Sequence, residues 1–64
     1  MNNIDWVFKL LDCAAPYGLE DECVTSAMEA LSDGSASTIK EACLIGMKEW
    51  DCIPDDINLW DENS

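Results

Sequence analysis

The stretch TIKEACLIGMKEW, residues 38–50, decides the fold class of this chain. Thr38 followed by Glu41 matches a capping box, which marks the start of a helix. From there, apolar and small residues recur within a narrow arc at about 100° per residue, the period of an amphipathic α-helix. They are Ile39, Ala42, Cys43, Gly46, Met47 and Trp50. A glycine within such a stripe costs about 1 kcal/mol of helix propensity, so we expect a neighbouring backbone to pass close to Gly46.

Two further helical segments precede this stretch. The first has Asn2 or Asn3 as its N-cap, and the Pro and Gly within residues 16–18 end it. The second runs from about residue 19 to residue 32, and the Asp-Gly pair that follows stops it. The predicted core stripes are Ile4, Val7, Phe8, Leu11 and Ala15 in the first helix, and Val24, Ala27, Met28 and Leu31, widened by Cys23 and Ala30, in the second.

The rest of the chain predicts loops and a tail. No run alternates apolar and polar residues for long enough to form a strand, and residues 53–60 could add one short helical turn. A chain of 64 residues has material for one core only. We therefore expect an all-α fold. It is a compact bundle of three main helices in a single domain over residues 1–64, with a short aromatic, acidic C-terminal tail or extra helical turn.

Two of the helices are apolar on a second side. These second-side residues are Trp6, Leu10 and Cys13 in the first helix and Leu44 and Ile45 in the third. A helix that is apolar on both sides is a buried helix, so something must cover the second sides. The apolar residues of the tail are one candidate, and a second copy of the chain, as in a homodimer, or another partner is the alternative.

Four cysteines and the absence of histidine bear on chemistry. Cys13, Cys23, Cys43 and Cys52 form no C-x-x-C pair, and no secretory signal accompanies them. We expect structural thiols, with an unusual metal site or a disulfide as the alternatives. No acid pair stands out as a general acid and base, and no Gly-rich loop is present. The sequence therefore predicts no enzyme, no catalytic residue, no metal and no cofactor.

The charge of the chain narrows the choice of partner. Three Lys against 14 Asp and Glu give a formal net charge of −11, which repels phosphate backbones and anionic lipids. We expect no direct binding to nucleic acid or membrane, a basic protein as partner, and a cytoplasmic location because no targeting segment is visible. Simple solubility is the alternative explanation of the charge.

The arrangement of the acids favours a contact surface. Glu22, Glu29 and Asp33 are seven and four residues apart, which places them on one line of the second helix at spacings of about 10 and 6 Å. A second concentration of acids follows the third helix, from Glu49 to Glu62. Two acidic ridges on a small rigid body could imitate part of a phosphate backbone.

In size, charge and helical patterning, the chain resembles phage-encoded inhibitors of host defence, such as anti-CRISPR proteins and other DNA mimics. The resemblance covers the whole chain and contains no diagnostic motif. It implies stoichiometric inhibition, in the cytoplasm of the host cell, of a basic nucleic-acid-binding protein such as a defence nuclease. The expected contact residues, from the acid pattern, are Glu20, Asp21, Glu22, Glu29, Asp33, Asp51, Asp55, Asp56, Trp60, Asp61 and Glu62.

Aromatic residues would supply the apolar anchor of such an interface, with Trp60 first and Trp6 or Tyr17 as further candidates. The alternative function is a small regulatory adaptor or antitoxin-like module. It would bind its partner through apolar contacts, using Trp6, Leu10, Leu44 and Ile45 in place of the acids.

Overall fold

The computed structural model describes residues 2–57, and the final residues of the predicted tail lie outside this range. Helix α1 spans Asn3–Ala14 and is followed by a 3-10 turn at Ala15–Tyr17. Helix α2 spans Glu20–Asp33, and helix α3 spans Ile39–Glu49. The helices pack against one another and residues 2–57 contain no strand, so the predicted all-α bundle of three main helices is confirmed.

Side chains cap two of the helices. Asn2 precedes α1, and its Oδ1 accepts from the Asp5 N–H at 3.0 Å while the Asp5 carboxylate accepts from the Asn2 N–H at 3.4 Å. This is a complete capping box. At α3, Thr38 Oγ1 accepts from the Glu41 N–H at 3.1 Å, as predicted. The Glu41 carboxylate accepts instead from the Ser37 hydroxyl at 3.0 Å, so only half of the predicted box forms there.

The contact between α2 and α3 is close because Gly46 has no side chain. A Cβ atom built on Gly46 would lie 2.6 Å from the Cys23 carbonyl oxygen and 3.5 Å from the Cβ of Ala27. Real Cβ atoms do not approach a backbone oxygen so closely, so α2 and α3 can pack at this distance only with glycine at position 46. The predicted close approach of a neighbouring backbone to Gly46 is confirmed.

The predicted core stripe of α1 is wrong at Ile4, Phe8 and Ala15, which are exposed, whereas Val7 and Leu11 are half-buried and pack against the core. Trp6, Leu10 and Ala14 are buried, with exposures of 2%, 1% and 0%, whereas Ile4 and Phe8 are more than half exposed. Apolar residues cover more than half of the circumference of α1, so its periodicity alone does not say which edge faces inward. The observed orientation seats the large indole of Trp6 in the core, where Lys40 Nζ lies 5.8 Å from its ring centroid.

The predicted stripe of α2 is wrong in its large residues. Met28 is 65% exposed and Leu31 is 37% exposed, whereas the small residues of the helix are buried. Those buried residues are Cys23, Ser26, Ala27 and Ala30. Because α2 lies directly against the backbone of α3 at Gly46, its facing positions have room for small side chains only. The larger apolar residues are displaced to one edge.

Helix α3 follows its prediction most closely. Ala42, Cys43, Gly46 and Met47 are buried. The two ends of the predicted stripe are more open, since Ile39 is half-buried and Trp50 is 40% exposed. The second-side residues of this helix, Leu44 and Ile45, are half-buried and pack against the core.

Candidate cation-binding groove

A groove lined by carboxylates runs between α2 and the C-terminal end of α3. Its volume is about 320 Å³. We call it the acidic groove, and its lining residues are Asp21, Glu22, Thr25, Ser26, Glu29, Glu49 and Trp50.

Helix α2 supplies one wall of the acidic groove through its periodicity. Glu22, Ser26 and Glu29 follow one another at spacings of four and three residues, so their side chains lie on one face of the helix. Asp21 and Thr25 form the adjacent row. The first turn of α2 carries Asp21 and Glu22, and the partial positive charge of a helix N-terminus stabilises acids at these positions.

The end of α3 supplies the other wall. Glu49 is the last residue of α3, and Trp50 follows it directly. The Trp50 N–H donates to the Gly46 carbonyl at 3.4 Å, and the indole Nε1–H donates to the Ser26 hydroxyl at 2.9 Å. These two hydrogen bonds hold the indole beside the carboxylates of α2 while two fifths of its surface stays exposed.

The buried side chain of Cys52 anchors the segment after Trp50 to the core. Asp51 adopts a left-handed conformation with φ of 57°, and the Cys52 N–H donates to the Met47 carbonyl at 2.8 Å. Cys52 Sγ then lies 3.7 Å from Cys23 Sγ in the core. This return to the core ties the residues around Trp50 to α2 on both sides of the indole.

All four cysteines are free thiols. Burial, followed by the hydrogen bond with Cys52, raises the pKa of Cys23 to about 12. Burial also raises the pKa of Cys43, and burial and then the charge of Asp12 raise that of Cys13. Raised pKa values favour the protonated thiol at these three positions, and Cys23 and Cys43 pack as small apolar groups in the core.

The acidic groove is electrostatically one-sided. Four carboxylates line it, and no lining residue carries a positive charge. Their potentials add, and a groove with low-dielectric walls concentrates the resulting field on a cation that enters. An Arg guanidinium fits such a site because it can pair with carboxylates through two parallel hydrogen bonds and can stack on an indole face.

The structure brings part of the predicted contact set together. Asp21, Glu22 and Glu29 line the acidic groove. Glu20 is half-buried at the start of α2 and does not line it. The acids that follow α3 are exposed, but the groove lining does not include them. They are Asp51, Asp55 and Asp56.

Asp33 lies apart from its two predicted companions. It ends α2, and its Oδ1 accepts from the Ser35 N–H at 2.8 Å. The hydrogen bonds from Ser35 lower the pKa of this carboxyl group. Of the three acids predicted on one line of α2, Glu22 and Glu29 therefore line the groove, whereas Asp33 stabilises the turn after the helix. Trp60, Asp61 and Glu62 lie outside the described residues.

The aromatic anchor expected on the surface differs from the one observed. Trp6 is buried, so its predicted role at an interface is wrong. Tyr17 is 65% exposed but does not line the groove. Trp50 was assigned to the core stripe of α3, and its position at the last turn, next to Glu49, is the signal that could have marked it as a groove residue.

Known proteins give no further guide to this site. The chain matches no protein-family model, and no curated protein or solved structure is detectably similar to it. Among residues 2–57, no group of three or more Cys, Asp or Glu side chains could hold a metal ion.

None of the three helices is long and apolar enough to cross a lipid bilayer.

Proposed function

We propose that this protein is a stoichiometric inhibitor, of the anti-CRISPR or DNA-mimic type, that acts by binding and without catalysis. Its partner is a basic nucleic-acid-binding protein such as a defence nuclease. The acidic groove receives Arg or Lys side chains that would otherwise contact phosphates. The inhibitor therefore competes with nucleic acid for one surface of its partner, in the cytoplasm of the host cell.

The composition of the acidic groove is the observation that supports this proposal. Acids of α2 and the acid that ends α3, far apart in sequence, share one groove with a partly exposed indole. Carboxylates supply charge-assisted hydrogen bonds to a guanidinium. The indole supplies the apolar contact that charge alone does not. Because Ser26 already holds the indole, little side-chain entropy is lost when a cation binds.

The net charge of −11 supports the same function over a longer range. Complementary charge steers two proteins together and raises their association rate. It also disfavours acidic partners, since like charges brought together at an interface are costly. A basic surface built to hold phosphates is the natural match for such a field.

The regulatory adaptor is not favoured by the residues that suggested it. Trp6 and Leu10 are core residues with exposures of 2% and 1%, so a partner could not reach them in the folded protein. Leu44 and Ile45 are half-buried and pack on the same core. No observation supports binding through this set.

The test is a displacement experiment. The tagged protein captures its partner from a lysate of the organism in which it acts, and the purified partner is then bound to labelled DNA or RNA. We expect the protein to displace the nucleic acid at about one molecule per binding site, and less effectively as salt screens the charges. Simultaneous binding of nucleic acid and inhibitor to the partner would contradict the proposal.

A further inference from the structure

A second groove lies on the other side of α2, where α1, α2 and the first half of α3 meet. Its lining is apolar throughout and encloses about 90 Å³. Leu10, Ala27 and Cys43 are buried residues at its base. Val7 of α1 and Met28 of α2 are more open residues of the same lining. We call this feature the apolar groove.

Exposed side chains extend the apolar surface beyond the groove. Ile4 and Phe8 continue the Val7 edge of α1 and are 59% and 57% exposed. Met28 and Leu31 form the α2 edge and are 65% and 37% exposed. Small monomeric proteins seldom keep a contiguous apolar surface of this kind without a binding role.

The shape of this surface suits a helix. On α1 the lining residues are Val7 and Leu10, and Ile4 and Phe8, four residues apart, are the exposed apolar residues beside them. On α2 the lining residues Val24 and Met28 have the same spacing. An apolar base between two such helix edges can receive the apolar stripe of an amphipathic helix.

Charge decides which helix fits. Asp5 and Asp12 are exposed on the side of α1 next to Phe8, together with Lys9. Asp21, which also lines the acidic groove, is exposed on the side of α2 next to Met28. The lining of the groove is therefore apolar, and its outer margins carry a net negative charge. A second copy of this chain would bring like margins and another net charge of −11 against them. A helix with basic flanks meets no such repulsion.

We propose that the apolar groove binds an amphipathic helix of another protein whose apolar stripe is flanked by Lys or Arg. The apolar stripe covers the exposed edges of α1 and α2, and the basic flanks pair with the acidic margins. This site is distinct from the acidic groove, because Met28 and Glu29 point to different sides of α2. The protein thus has two docking surfaces, one for single cationic side chains and one for a whole helix.

The experiment uses the full chain and a synthetic peptide of about five helical turns. The peptide carries Leu at positions i, i+3, i+4 and i+7 and Lys along both flanks, and binding is measured by calorimetry. We expect the Phe8→Gln/Met28→Gln double variant to bind the peptide about tenfold or more weakly. Tyr17→Gln, an equally exposed site outside the groove, should bind it as the unsubstituted protein does.

Two controls separate the proposal from its alternatives. A peptide of the same composition with its Leu stripe scrambled should not bind, and one with Glu flanks should bind more weakly than the Lys peptide. Circular dichroism of the double variant should match that of the unsubstituted protein, since both substituted side chains are mostly exposed.

Three results would overturn the proposal. The first is unchanged peptide binding by the Phe8→Gln/Met28→Gln variant. The second is a concentration-dependent dimer, seen by light scattering, that the same double variant abolishes, since the groove would then bind a second copy. The third is tighter peptide binding by a full-length Leu59→Gln/Trp60→Gln variant, since the groove would then hold the chain's own last residues.

Discussion

Helix α2 contacts its two neighbours in opposite ways. Against α3 it closes so tightly that only glycine fits at position 46. Against α1 it leaves an open groove lined by larger apolar side chains. The difference follows from side-chain size. Cys23 and Ala27 meet Gly46 in the close contact with α3, whereas the larger Met28 and Leu31 stand beside Ala27 in the open groove.

The close contact between α2 and α3 at Gly46, the closed seam, and the apolar groove between α2 and α1, the open seam, have different consequences for function. Closure against α3 brings Ser26 within hydrogen-bond distance of Trp50 and so builds the acidic groove. Its geometry is set before any partner arrives. The apolar groove leaves apolar surface that residues 2–57 do not cover, and we propose that a helix of a partner covers it. The contact with α3 positions the residues of the acidic groove, whereas the apolar groove is the docking site that we propose for a helix.

We expect substitution of Gly46 to cause the largest loss of stability in the contact between α2 and α3. The Gly46→Ala variant places a Cβ against the Cys23 carbonyl oxygen, a backbone atom that cannot move away without shifting α2. We expect a loss of about 3 kcal/mol in the free energy of unfolding, measured by urea denaturation.

Gly34→Ala is the matched control for this prediction. Gly34 has φ of 85° and no atom near its would-be Cβ, so its substitution should cost only the strain of about 1 kcal/mol. If Gly46→Ala proved as stable as the unsubstituted protein, alanine's higher helix propensity would have outweighed the clash. The seam would then be looser than described.

Alkaline pH tests the buried thiol of the closed seam. The pKa of Cys23 is about 12 in the folded protein because of burial and the hydrogen bond with Cys52, and near 8.5–9 when unfolded. Between these values the folded state holds the proton and the unfolded state releases it. Stability is therefore retained below about pH 9 and falls as the pH rises toward 12. We expect a loss on the order of 2 kcal/mol by about pH 10.5.

Comparison with Cys23→Ala isolates this effect. Every other side chain is the same in both proteins, so the difference between the two pH profiles reports the Cys23 thiol together with its interaction with Cys52. The variant should lose less stability across the alkaline range in the presence of a reductant. Parallel profiles would show that the Cys23 thiol is not shielded in the folded protein.

Of these interactions between α2 and α3, the hydrogen bond between Trp50 and Ser26 is expected to contribute least to stability. Ser26→Ala should cost about 1 kcal/mol, because the indole N–H loses its partner. It should also shift the tryptophan fluorescence toward longer wavelength as Trp50 becomes freer. Ser32→Ala, the same change at an exposed position of α2, should alter neither property. Equal effects of the two substitutions would mean that the bond does not hold the indole.

The sequence predicted α3 better than the other helices for a physical reason. The main stripe of helix α3 contains a glycine whose cost suggested a close contact, and a threonine caps its start, so these signals agree even though Leu44 and Ile45 add a second apolar side. Helix α1 has apolar residues over more than half its circumference, so periodicity allowed two orientations and the predicted one was wrong. In α2 the predicted stripe contained large and small apolar residues. The close approach to α3 buried the small ones and left Met28 and Leu31 at one edge.

The acidic groove was half predictable for a similar reason. The spacing of Glu22 and Glu29 within one helix is a local property, and the prediction that they share a face is confirmed by the groove. The meeting of Glu49 and Trp50 with this face depends on how α3 packs against α2, which no local pattern states. The function assigned to the groove stays a proposal.

The most direct test of that proposal repeats the displacement experiment with two double variants of equal net charge. Glu22→Gln/Glu29→Gln removes two carboxylates from the acidic groove, and Glu41→Gln/Asp55→Asn removes two exposed carboxylates that line neither groove. We predict that the groove variant weakens binding to the captured partner about tenfold or more, and that the control weakens it less than about threefold. Equal weakening by the two variants would contradict the account, because net charge alone would then explain the interaction.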